Sequence, residues 1–104
     1  MTTAVRVAAL EELEPGTLRE VDVNGTAVCL ARTLDGEVYA FRNNCSHRDF
    51  PLHTGTLEDG QIECSWHGAR FDVESGRALR LPAIRPITTY AVSVEGTDVF
   101  VLVD

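Results

Sequence analysis

Between Cys45 and Asp72 the chain reads CSHRDFPLHTGTLEDGQIECSWHGARFD. Each end of the stretch offers one cysteine and one histidine at short spacing: Cys45 with His47 and, after sixteen intervening residues, Cys64 with His67. Two short loops can therefore bring four soft or borderline metal ligands to one point. A nucleophilic Cys/His pair would also need a base, an orienting group and an oxyanion site. Nothing in the sequence supplies them.

The order of the ligands narrows the metal. Tetrahedral zinc takes two cysteines and two histidines, but classical fingers pair Cys with Cys and His with His along the chain. Here each loop alternates them. A two-iron, two-sulfide centre uses such a set differently, because a neutral imidazole in place of a thiolate removes negative charge and raises the reduction potential. If each loop gives its cysteine to one iron and its histidine to the other, Cys45 and Cys64 bind the first iron, and His47 and His67 the second. The oxidised centre is then formally neutral and the arriving electron settles on the histidine-bound iron. A zinc-stabilised or metal-free interaction module remains the alternative, and iron and sulfide analysis separates the two.

The segment C-S-H-R-D-F-P-L-H-T-G…C-S-W-H-G-A-R-F-D resembles the cluster-binding segment of Rieske-type [2Fe–2S] proteins. It is similar above all to the small ferredoxins that feed aromatic-ring-hydroxylating dioxygenases. That resemblance implies one [2Fe–2S] cluster per chain, held by Cys45, His47, Cys64 and His67. It also implies a one-electron carrier, not catalytic alone, between an NAD(P)H-dependent flavoprotein reductase and a terminal oxygenase of aromatic hydrocarbon catabolism. The small Rieske-like subunit of an assimilatory NAD(P)H nitrite reductase is the competing member of the same family.

Two departures from the respiratory and photosynthetic Rieske pattern, C-T-H-L-G-C…C-P-C-H-G-S-x-Y-D, carry physical meaning. The two extra cysteines of that branch, which bridge its loops, fall here on Phe50 and Trp66, whose rings are expected to pack over the cluster and exclude water. Its serine and tyrosine, whose hydroxyls hydrogen-bond the cluster and a cysteine sulfur, fall on Ala69 and Phe71. Losing such donors lowers the potential. The expectation is a midpoint near the bottom of the roughly −150 to +300 mV range of Rieske centres.

Outside this stretch, composition sets bounds. At 104 residues the chain makes one domain with a modest core, which a bound cluster would help to staple. Sixteen acidic against nine basic residues give a formal charge of −7, without a basic cluster, so nucleic acid is excluded as a partner and basic patches on redox partners are favoured. The N-terminal residues lack the apolar core of a signal peptide and no run reaches about eighteen apolar residues, so the protein is expected to be cytoplasmic, away from membranes, and monomeric. With two cysteines given to iron only Cys29 remains, which excludes a disulfide and fits a reducing compartment; Cys29 itself reads as a small core residue.

Strands punctuated by glycine turns predict an all-β fold, a Rieske-like antiparallel β-sandwich or barrel with a small inserted cluster-binding lobe. The spacing predicts a first edge strand around Val5, Val7 and Ala9, then a helical turn over 10–15. A hairpin follows about Asn24-Gly25, then a strand after Asp35-Gly36. Leu18 faces opposite to Val21 and Val23, which predicts a slip or bulge in that strand. The base is expected at residues 1–41 and 78–104 and the lobe at about 42–77, with the metal at one tip. There each imidazole would turn its outer nitrogen toward solvent, and reduction would favour a proton on it at high pH. Leu81–Pro86, with two prolines, cannot be a central strand and resembles the proline loop that covers the cluster in Rieske domains. The third histidine, His53, reads as an exposed or locally hydrogen-bonded loop side chain rather than a ligand. Arg48, Asp49 and Arg70 are expected to meet partners or pair with each other.

Overall fold

In the computed structural model, which describes residues 3–44, 51–65, 68–80 and 85–103, ten strands form where the turn residues allow. They are β1 (Thr3–Ala9), β2 (Thr17–Val23), β3 (Thr26–Arg32), β4 (Val38–Arg42), β5 (Thr56–Glu58), β6 (Gln61–Glu63), β7 (Arg70–Asp72), β8 (Ala78–Arg80), β9 (Thr89–Glu95) and β10 (Asp98–Val103). Asn24 and Gly25 both take positive φ, 52° and 88°, the backbone that a two-residue hairpin loop between right-twisted strands requires. The Asp22 carboxylate locks this turn by accepting the Gly25 N–H at 2.7 Å. Asp59-Gly60 repeats the device between β5 and β6, with φ of 52° and 72°.

Six strands make one antiparallel sheet in the order β1-β10-β9-β4-β3-β2, and four make a second in the order β5-β6-β7-β8. The larger sheet curls until β1 at one edge comes against β2 at the other. It encloses a core of Ala8, Leu13, Val23, Val28, Leu30, Ala40, Val99 and Val101. The other face of β3 and β4 is buried as well. Cys29, Ala31 and Phe41 pack there against Leu52, Ile62, Cys64, Ala69, Phe71 and Val73 from the smaller sheet and its loops. Successive side chains of a strand point to opposite faces, so the apolar run in β3 serves two cores at once.

This corrects the reading of β2. Thr17 to Val23 pairs with Arg32 to Thr26 in unbroken register. Leu18 packs on the core shared with the smaller sheet, while Val21 packs on the core inside the curl. Both facings are right because both faces are covered, and no slip is needed. The irregularity lies in β1, where the register with β10 shifts between Arg6 and Ala8. That bulge turns Ala8 inward as the buried residue of the strand, although Val5, Val7 and Ala9 carried the predicted alternation. Leu10–Glu12 forms the expected helical turn, a single 3-10 turn.

The backbone approaches itself closely at two glycines, within the smaller sheet at Gly55 and between the β7–β8 turn and the segment before β9 at Gly76. A Cβ at Gly55 would stand 2.0 Å from the Glu63 carbonyl oxygen, and one at Gly76, already at φ 78°, would stand 2.3 Å from that of Ile87. Ala78–Arg80, assigned to the base from sequence, pairs with β7 in the smaller sheet. Of the predicted proline loop, residues 81–84 lie outside the described residues, and Arg85 and Pro86 belong to no strand.

Candidate metal centre

Both ligand loops leave from strand ends. The first leaves β4 through Asn43 and Asn44 and returns at Pro51 into a 3-10 turn, Leu52–Thr54. The second spans the short gap between β6 and β7. Cys64 opens it, 1 % exposed, with its backbone N–H donating to the Ala69 carbonyl at 2.7 Å. That bond closes a tight turn, and Gly68 at φ 73° supplies the left-handed step that an L side chain disfavours. Cys45, His47 and His67 lie outside the described residues, as do Arg48, Asp49, Phe50 and Trp66.

The described flanks of the two loops nevertheless lie side by side. Thr54 and Ser65 bring their hydroxyl oxygens to 3.2 Å, and Leu52, Cys64, Ala69 and Phe71 share one buried cluster. A buried thiol set in an apolar cluster, in a chain that carries a second cysteine in the neighbouring loop, fits an iron–sulfur cluster. Ala69 and Phe71 are fully buried there and bring no hydroxyl to it. Among the described residues, no three His, Cys, Asp or Glu side chains gather as a rival metal site.

Cys29 is also buried in this cluster but is chemically apart. Desolvation pushes its thiol up to about 12, against a hydrogen bond at the Arg19 backbone that acts the other way. A thiol held protonated is a core residue, as the sequence indicates, and a poor ligand. Arg70 does not wait for a partner at the loops: its Nε donates to Glu63 Oε1 at 2.9 Å, and Arg80 stands 3.6 Å from the same oxygen.

His53 is hydrogen-bonded, though to a partner ten residues earlier in the chain rather than a local one. Asn43 accepts the His53 backbone N–H at 2.8 Å and stands 2.9 Å from its ring Nδ1. Asn43-Asn44 before a cysteine reads as ordinary turn chemistry. No local signal exposes it, because Arg42-Asn43-Asn44 is polar throughout.

A curled antiparallel sheet carrying a smaller sheet, with two Cys/His loops between their strands, defines an iron–sulfur domain of the Rieske type. The chain belongs to the Rieske [2Fe–2S] domain family, which it matches over residues 3–91. Within that family it is a Rieske-type ferredoxin like those of aromatic-ring dioxygenase systems. It is 38% identical over 96 residues to the ferredoxin component of biphenyl 2,3-dioxygenase from Rhodococcus jostii (strain RHA1), covering 92% of this chain and 89% of that one. The ferredoxin of carbazole 1,9a-dioxygenase from Nocardioides aromaticivorans IC177 superposes with a TM-score of 0.90 at 42% identity, over 95% of this chain and 96% of that one. A complex of reduced oxygenase and oxidised ferredoxin in carbazole 1,9a-dioxygenase matches with a TM-score of 0.88 at 30% identity, over 94% of this chain and 91% of that one. The nitrite reductase small subunit from Mycobacterium tuberculosis, at 20% identity and a TM-score of 0.91, shares the fold alone.

Proposed function

We propose that this chain carries single electrons from an NAD(P)H-dependent flavoprotein reductase to a terminal Rieske oxygenase, through one [2Fe–2S] cluster held by Cys45, His47, Cys64 and His67. When bound, the cluster takes up and releases one electron at a time. The chain's own part is to seat and shield it. The β6–β7 turn fixes Cys64 in a dry wall, which strengthens electrostatic interactions at the site. The absence of hydroxyls at Ala69 and Phe71 leaves the added electron without the donors that would stabilise it. With one ring nitrogen of His47 and of His67 given to iron, the other nitrogen of each would be the atom offered to a docking partner.

The observation that carries this reading is the joining of the two ligand loops' flanks, Thr54 to Ser65 and Leu52 to Cys64, in a chain of ferredoxin ancestry. The relatives' systems supply the partner class, and the formal charge of −7 suits a basic docking face. A division into base and cluster lobe, a monomeric state and a cytoplasmic setting belong to the same proposal. No helix among the described residues is long and apolar enough to cross a membrane.

The test is reconstitution. Purified protein should contain two irons and two acid-labile sulfides per chain. It should be reduced by a flavoprotein reductase with NADH or NADPH, and reoxidised by an oxygenase in the presence of its aromatic substrate. Zinc in place of iron, or iron without electron delivery to any oxygenase, refutes the assignment.

A further inference from the structure

Asn43 is the one buried polar side chain among the described residues, 6 % exposed. Its backbone N–H and both ends of its side-chain amide are engaged. Its backbone N–H donates to the Ala27 carbonyl at 2.9 Å, which pins it to β3. Its side-chain Oδ1 accepts the His53 backbone N–H at 2.8 Å. Its Nδ2 has two hydrogens and two acceptors, Glu20 Oε2 on β2 at 2.5 Å and His53 Nδ1 at 2.9 Å. In that arrangement the ring hydrogen of His53 sits on Nε2.

The positions of these residues give the network its meaning. Asn43 stands two residues before Cys45, and His53 stands just beyond the loop that Cys45 and His47 occupy. One amide thus closes the two ends of the first ligand loop and fastens them to β2. The next residue extends the connection: the Thr54 hydroxyl donates to the Pro51 carbonyl at 2.9 Å, leaving its oxygen to accept from Ser65 at 3.2 Å. Polar contacts therefore run from Glu20 on the base, through Asn43 and His53, to the neighbour of Cys64. Burying the Asn43 amide costs free energy unless its groups are paired. An apolar pair could close a loop with less penalty, but only a directional network fixes its orientation.

We propose that Asn43 is a positioning residue for the cluster: with Glu20 and His53 it clasps the ends of the loop bearing Cys45 and His47 and holds that loop in register with the loop bearing Cys64 and His67. This rests on the ligand assignment above. The clasp sets the distance between the two loops, so loosening it alters both the rate of iron loss and the electronic environment of the centre.

The test compares Asn43→Ala, Asn43→Asp, Glu20→Gln and the double variant Glu20→Gln/Asn43→Asp, all purified with iron. Iron release to a chelator, midpoint potential, the EPR spectrum of the reduced protein and melting temperature are measured for each. Asn43→Ala and Asn43→Asp should release iron about tenfold faster, with a displaced potential and a broadened spectrum. Asn43→Asp keeps the acceptor for His53 but sets a carboxylate against Glu20. The double variant restores a donor opposite that acceptor and should recover most of the wild-type behaviour, while Glu20→Gln alone, which keeps an acceptor oxygen, should lose least. If Asn43→Ala does not fold, the Asp variant and its rescue decide.

Wild-type potential and spectrum in the Asn43 variants, even with a lowered melting temperature, would mark a purely structural prop and overturn the proposal. A double variant no better than Asn43→Asp overturns it too. Wild-type protein lacking two irons and two sulfides sinks the ligand assignment itself, whereas loaded wild type with unchanged variants sinks only the clasp.

Discussion

Cys29 and Cys64 sit in one buried cluster, yet only the second begins a ligand loop. Burial raises the Cys29 thiol from 9.0 to about 12, so above pH 9 the unfolded chain sheds a proton that the folded chain keeps. Stability is therefore intact below that point and falls as pH rises toward about 12. Urea titrations from pH 8 to 11 should show this decline, and it should be shallower in Cys29→Ala. At Phe71, fully buried beside the second loop, a hydroxyl tests the potential argument. Phe71→Tyr should raise the midpoint by on the order of 60 mV, the one-electron equivalent of a tenfold bias, if its oxygen reaches a cysteine sulfur. An unchanged midpoint with a loss of about 1–3 kcal/mol in stability would instead mark an unsatisfied buried hydroxyl. The four proposed ligand positions rest on spacing alone, which is written in the chain. Asn43 was not legible there, because its role depends on Glu20 and His53, which are distant in sequence and adjacent only in the fold.

Strand boundaries were readable wherever a turn needs a particular backbone. Asn24-Gly25 and Asp59-Gly60 each join paired strands, and Gly96-Thr97 joins β9 to β10 one residue past the Glu95-Gly96 of the sequence. The facing of β2 was not readable, because alternation identifies an inward side only when one side is wet, and this sheet is covered on both. The same limit hid the bulge in β1 and the membership of β8, which are settled by pairing across the chain. Glycines with and without neighbours should separate in effect. Gly55→Ala and Gly76→Ala drive a methyl into the Glu63 and Ile87 carbonyls and should cost about 2–4 kcal/mol by chemical denaturation, at the upper end of ordinary substitutions. Gly25→Ala meets nothing within 4 Å and should cost only the roughly 1–2 kcal/mol of its left-handed backbone. Equal losses at all three would mean that the close approaches at Gly55 and Gly76 do not constrain the backbone there.

The whole chain carries a formal charge of −7, and the carrier function turns that charge toward partners. Electrostatic steering weakens as the Debye length contracts, from about 10 Å at 0.1 M salt to about 3 Å at 1 M. The second-order rate of electron delivery to an oxygenase should therefore fall as salt rises, while the midpoint potential moves far less. A rate independent of salt would place the docking contacts in apolar surface instead. The fold encloses one core inside the curled sheet and shares the other with the cluster loops, so removing iron should loosen the second core before the first. The central claim is mixed nitrogen and sulfur coordination, and its most direct test is pulsed EPR of the dithionite-reduced protein grown with 15N-histidine. Two nitrogen couplings on a two-iron centre, both lost when His47 and His67 are replaced, are the result expected. A centre without nitrogen coupling, or no paramagnetic centre after reduction of fully loaded protein, would contradict it.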